Sequence, residues 1–230
     1  MKTVAVRELG RIEYGRALAL QAEAAESCRS TGAETLFLLE HEPVYTLGRN
    51  ADPREILFTP ERRAELGISL YETDRGGRAT YHGPGQLVGY PILDLSPDRR
   101  DVRRYVRDLE ETLIRTLAEF GIEGKRSPRK DRVTSVWVGN DKIAAIGVHL
   151  SRWVTTHGFA LNVATNLEHF FGIIPCGITD GGVTSMERVL GRRVDVAEVA
   201  RAFLGHFAGI FGRRVSAPER ELSAPFAGSS

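Results

Sequence analysis

Cysteine is scarce in this chain, with only Cys28 and Cys176 among 230 residues. Two thiols make no disulfide framework and are too few for a four-thiolate zinc site. Long apolar runs are missing as well, and none approaches the roughly 18 residues that cross a bilayer. The opening MKTVAVRELGRIEYGR has no apolar core of a secretion signal. These features point to a cytoplasmic protein without a membrane segment. No charge sign dominates: 31 Lys and Arg face 30 Asp and Glu, a net charge of +1. That balance gives no drive toward nucleic acid or anionic lipid. Histidines at helix or zinc-finger spacing are lacking, so no metal site is expected. Internal repeats and linker-like composition shifts are lacking too. Residues 1–215 are therefore expected to form one domain, with a loose tail at 216–230, SAPERELSAPFAGSS.

What is present is an ordinary globular composition, 42% hydrophobic and 27% charged. Residues 11–31 carry Ala and Leu at helical spacing up to Gly32, a glycine end signal. LFLLEHEPVYTLG (36–48) reads as a buried strand, a break at Pro43 and a short continuation. A short helix at 61–67 and a strand at 68–73 follow. QLVGYPILDL (86–95) is a strand whose Pro91 suggests a sheet edge or a bulge. Asp101 caps a strongly amphipathic helix running to Gly121. VTSVWV, the turn GND and KIAAIGVHL (133–150) form a hairpin, and VTTHGFALNV (154–163) adds another strand. A glycine- and proline-rich loop spans 164–183, and a last helix spans 194–212. Strands grouped with hairpins, plus a few helices, predict an α/β domain of the α+β type, with a mixed, largely antiparallel sheet and flanking helices.

Where could chemistry sit? Cys28 lies in the apolar pattern of the first helix and reads as a small buried hydrophobe. Cys176, in IIPCGITDGG, lies in a loop between Pro175 and Gly177, open to attack but also compatible with a structural role. A thiol reacts as thiolate, so a nucleophile needs a nearby cation or base. Lys142 is the candidate cation: alternation places it with Ala144, Ile146, Val148 and Leu150. If that face is exposed, the lysine snorkels to water; if buried, it is readied for proton transfer. His82, His149 and His157 are competing bases. DRGGRATYHGPGQLVGYPIL (74–93) lacks the GK[ST] ending of a phosphate loop. Its glycines instead suit close backbone approach to a ligand and N–H donors for an oxyanion. The arginines at 99, 100, 103, 104 and 107 form either a solvated helix face or a docking surface for an acidic partner.

Four separated motifs resemble the lipoyl(octanoyl) transferase (LipB) family: EHEPVYTLGR (40–49), RGGRATYHGPGQLVGYPI (75–92), KIAAIGV (142–148) with HGFALNV (157–163), and PCGI (175–178). The chain length and the context of the last two resemble actinobacterial members most closely. The resemblance implies the catalytic fold shared with biotin and lipoate protein ligases. It implies transfer of an octanoyl group from acyl carrier protein to a lysine of lipoate-dependent domains, those of 2-oxoacid dehydrogenase E2 subunits and the glycine cleavage H protein. Carried over by motif, Cys176 is the nucleophile that forms the acyl thioester, and Lys142 lowers its pKa. The acyl pocket falls on Arg75, Gly76, Gly77, Arg78, Ala79, Thr80, Tyr81 and His82, on Ala145, Ile146 and Gly147, and on Gly158, Phe159 and Ala160. Main-chain N–H groups of Gly76, Gly77 or Gly147 would serve the oxyanion. Ala145, Ile146 and Phe159 replace Ser, Leu and Leu of other members, which bears on acyl length. Partners with acidic surfaces, no metal, no cofactor and a monomeric enzyme are the further expectations. The alternatives are an ATP-dependent ligase on the same fold, which usually carries a GGG triplet, and a non-catalytic module that binds acyl groups or carrier protein.

Overall fold

The computed structural model describes residues 1–96, 99–127, 134–174 and 182–220. Cys176 and its neighbours therefore lie outside the described residues. In chain order the elements are β1 (Thr3–Ile12), α1 (Tyr14–Thr31), β2 (Glu34–His41), β3 (Val44–Leu47), a 3-10 turn (Pro53–Glu55), α2 (Pro60–Glu65), β4 (Ser69–Glu72), β5 (Ala79–His82) and β6 (Gln86–Ile92). Then come α3 (Val102–Glu119), β7 (Lys125–Arg126), β8 (Ser135–Val138), β9 (Asp141–Ser151), β10 (Val154–Asn162) and a 3-10 helix (Leu167–Gly172). The chain closes through β11 (Gly182–Val183), α4 (Met186–Leu190), α5 (Val196–Phe211), β12 (Arg214–Val215) and β13 (Glu219–Arg220).

The main sheet runs β12-β1-β2-β6-β10-β9-β8-β7, with β13 beside β1 and β11 beside β9. β1 pairs parallel with β2, β12 and β13, whereas β2, β6, β10, β9, β8 and β7 are successively antiparallel. This is the expected mixed, largely antiparallel sheet. β2 is apolar without alternation because both its faces are covered. Leu36 and Leu38 join the core beneath α3 and α5, while Phe37 and Leu39 join the core beneath α1. Phe203, Phe207 and Phe211, four residues apart on α5, stack in series at 5.8 and 4.4 Å between ring centroids. Burying each ring is worth about 2–3 kcal/mol. A second sheet, β4-β3-β5, packs its own cluster around Tyr45, Tyr81 and Phe170.

Several expectations change. The first helix starts at Tyr14, because the residues before it extend β1. The alternation of Val4 and Val6 with exposed Thr3 and Ala5 was the available signal for that strand. Gly32 ends α1 in the left-handed region, as its type foretold. The continuation after Pro43 leaves for the second sheet. Pro91 marks neither edge, since β6 lies in the middle of the sheet between β2 and β10. The β6–β10 pairing stops at Gly89↔Phe159 and resumes with Asp94↔Val154 in the same register. His157 faces Pro91 across that gap with a positive φ of 57°. Its N–H turns to Gln21 Oε1 of α1 at 2.7 Å, and the pairing lies open where Pro91 has no N–H to donate. The loop at 164–183 contains a 3-10 helix, and α4 follows it. From 216, the described part of the expected tail adds β13 to β1.

Candidate active site

A cavity of about 620 Å³ opens between the β9–β10 hairpin and the turn that precedes β5. Among the motif residues, Arg75, Gly76, Gly77, Arg78, Thr80, His82, Lys142, Ala145, Ile146, Gly147, Gly158, Phe159 and Ala160 line it. Ala79 and Tyr81 do not. They alternate to the other face of β5, into the second sheet's core, where the Tyr81 hydroxyl meets His169 Nδ1 at 2.7 Å. Tyr14, Asn50, Tyr90, Val106, Thr134, Ser135, Val148 and His157 complete the lining. Of these, Tyr90, Val148 and His157 also lie within the motifs, and the rest come from segments far apart in sequence that no local pattern groups.

Lys142 is only 3% exposed, which removes the snorkelling alternative. It stands at the start of β9 on the cavity wall with Ile146 and Val148. Gly182, six positions after Cys176, pairs with Asp141, Val183 pairs with Lys142, and Thr184 N–H donates to Lys142 O at 3.0 Å. Cys28 is buried, and burial pushes its thiol up to about 11, in keeping with the structural reading.

Arg75 is 7% exposed and serves as a clasp. Its Nη2 donates to Thr46 O, Thr46 Oγ1 and Arg78 O at 2.7–2.8 Å, its Nε to Thr46 Oγ1 at 3.2 Å, and its Nη1 to Gly76 O at 3.1 Å. The turn thereby stays fixed against β3. Gly76 N–H donates to Val148 O at 3.0 Å, tying the turn to β9. That bond takes Gly76 off the set of expected oxyanion donors. Arg78 pairs with buried Glu55 at 2.6 Å, and Glu55 also accepts from Ala79 N–H at 3.0 Å. Burial alone would raise the Glu55 pKa, but the hydrogen bonds from Ala79, Arg78 and Asp52 prevail and hold it below the usual carboxylate range.

Histidines and tyrosines pack one end of the cavity. Ile12 O can only accept, so His41 Nδ1 donates to it at 3.1 Å and His41 Nε2 accepts from the Tyr90 hydroxyl at 2.7 Å. Burial pushes the His41 pKa down to about 4. His82 stacks on Tyr14, and its Nδ1 contacts Gln86 Oε1 at 2.8 Å. Asp74 joins His157 and His149, with His157 Nε2 at 2.7 Å and His149 Nε2 at 3.5 Å. Of the arginine cluster, Arg99 is committed to Asp108 and to Ile210 O, and Arg100 to Ser96 Oγ with its guanidinium over Trp153. Arg103 and Arg107 remain exposed. No described helix is long and apolar enough to cross a membrane.

The profile of the lipoyl protein ligase A/B catalytic domain matches residues 13–208, most of the chain, and the chain belongs to that family. A solved lipoate-protein ligase A bound with ATP shares the fold, with a TM-score of 0.77 at 18% identity over 97% of this chain and 90% of that one. Within the family, the chain is similar to curated proteins named octanoyltransferase. One, from Solibacter usitatus, is 53% identical over 92% of this chain and 94% of its own length. Another, from Myxococcus xanthus, is 52% identical over 95% of this chain, which spans 62% of that relative's length.

Proposed function

We propose that this chain is an octanoyltransferase of protein lipoylation, working through a thioester on Cys176. What supports the reading most is the buried Lys142 on the wall of a cavity lined by the 75–92, 142–148 and 157–163 motifs, in a chain half identical to octanoyltransferases. Lys142 takes the Cys176 proton, and the thiolate attacks the octanoyl thioester of acyl carrier protein. The carrier thiolate leaves and regains that proton from Lys142. The lysine amine of a lipoyl domain, from an E2 subunit or the glycine cleavage H protein, then attacks the enzyme thioester. A thioester is already activated, so no nucleotide enters the balance. The main-chain N–H of Gly77 serves the oxyanion. Ala145, Ile146, Phe159 and Ala160 hold the acyl chain, and exposed Arg103 and Arg107 face the acidic partner domains.

Intact-mass measurement after incubation with octanoyl-acyl carrier protein tests this directly. The wild type should gain one octanoyl group, and Cys176→Ala none. Lys142→Ala should acylate slower by about 10²–10⁴-fold, the range for a positioned acid–base group. Activity with free octanoate and ATP, and none with the carrier thioester, would return the chain to the ligase class.

A further inference from the structure

A chain of side-chain amides fixes which nitrogen of His82 carries its hydrogen. Thr184 O is a carbonyl and can only accept, so the Asn162 atom 3.0 Å from it is the amide nitrogen. Asn162 Oδ1 is then the acceptor for Gln86 Nε2 at 2.9 Å, and Gln86 Nε2 also donates to Tyr81 O at 3.2 Å. Two carbonyls thus set both amide orientations. Gln86 Oε1 is left pointing at His82 Nδ1, 2.8 Å away, and that nitrogen carries the hydrogen. His82 Nε2 is therefore an acceptor only, on a residue that lines the cavity. Burial, reinforced by the nearby His41 and Arg75, holds the His82 pKa well below its ordinary value, so the ring stays neutral. The far end of the relay is anchored beside Lys142, through Thr184 N–H on Lys142 O at 3.0 Å.

An acceptor-only atom selects among the reactants. At its reacting end the acyl donor offers a carbonyl oxygen and a sulfur, both acceptors, and an apolar chain. The incoming lysine amine brings N–H groups there. The Arg75 guanidinium on the same cavity wall disfavours a second cation, so the amine enters uncharged after its ammonium proton is shed to solvent. We propose that His82 Nε2 accepts a hydrogen bond from the uncharged lysine amine of the acceptor domain and aims its lone pair at the enzyme thioester. The N–C bond forms, the C–S bond breaks, and one amine proton passes through Lys142 to the departing cysteine sulfur. Gln86 and Asn162 are positioning residues that hold the His82 tautomer. This inference rests on the transferase reading.

Separated half-reactions test it, read by intact mass for acylation and by octanoylation of a lipoyl domain from preformed acyl-enzyme. His82→Leu should slow transfer by about 10²-fold and acylation by less than about ten-fold. The acyl adduct itself certifies that the variant is folded. His82→Gln places an amide oxygen near the lost Nε2 and should recover at least about ten-fold of the transfer rate, within the 10²–10⁴ span of such contacts. Equal losses in both half-reactions, or no recovery with Gln, would overturn the role. Absence of any adduct on the wild type is a different result and sinks the transferase reading itself.

Discussion

The two walls of the cavity are both glycine-rich, but they are held in different ways. The β9–β10 wall is a ladder with eight residue pairs from Val154↔Ser151 to Leu161↔Ala144, and its shape follows from backbone hydrogen bonding. Its glycines serve close packing: a Cβ on Gly158 would lie 2.1 Å from Gly89 O of β6. The opposite wall, at Arg75–Arg78, has no ladder of its own. Arg75, the Glu55–Arg78 pair, one bond from Gly76 and the N–H groups of Arg49 and Asn50 on the carbonyls of Arg75 and Gly77 hold it. A turn outside the ladder has only a few backbone bonds to neighbouring loops, so charged side chains, with Arg75 and Glu55 buried, add to the bracing.

Breaking the braces should therefore cost more than disturbing the ladder. Arg75→Met strands several buried carbonyl and hydroxyl acceptors and should lower stability by about 4 kcal/mol in urea denaturation, with activity lost as the turn collapses. A loss near zero would mean that the turn is held by its backbone alone. Gly158→Ala should cost about 3 kcal/mol, because the Gly89 carbonyl of the neighbouring strand must move by about an ångström to admit one methyl group. If it exceeds Arg75→Met, the contrast between the walls is reversed. The smallest effect belongs to Glu55→Gln, about 1 kcal/mol near neutral pH. Because the folded state lowers the Glu55 pKa, its contribution is complete above the ordinary carboxylate range and is lost as pH falls through the lowered value. Acid titration of stability should accordingly be shallower in Glu55→Gln than in wild type.

The readable parts of the fold were those with a local cause. Tyr105, Leu109, Leu113 and Leu117 repeat every four residues, Asp101 caps them, and all four are buried in α3. The hairpin around Gly139 and the stop at Gly32 follow from glycine's access to positive φ, 57° and 77°. Pro91 misled because the sheet leaves its β6–β10 pairing open at that one place, where His157 kinks and gives its N–H to the Gln21 side chain from a helix far away in sequence. Tyr81 and Ala79 sit in a motif with pocket residues, but strand alternation divides such a motif between two faces.

By itself, the sequence determined the class of chemistry: a thiol between Pro175 and Gly177, a lysine at a strand start, glycines suited to close backbone approach, and motifs shared with one family. Those depend on residue type and short spacing, which a chain carries unfolded. The tertiary structure alone decided that Lys142 is buried, that Arg75 braces a turn, and that the hydrogen of His82 sits on Nδ1. Each depends on partners distant in sequence. His82, Gln86, Asn162 and Thr184 agree on one proton position only once three strands and the returning chain bring their hydrogen-bonding atoms within about 3 Å.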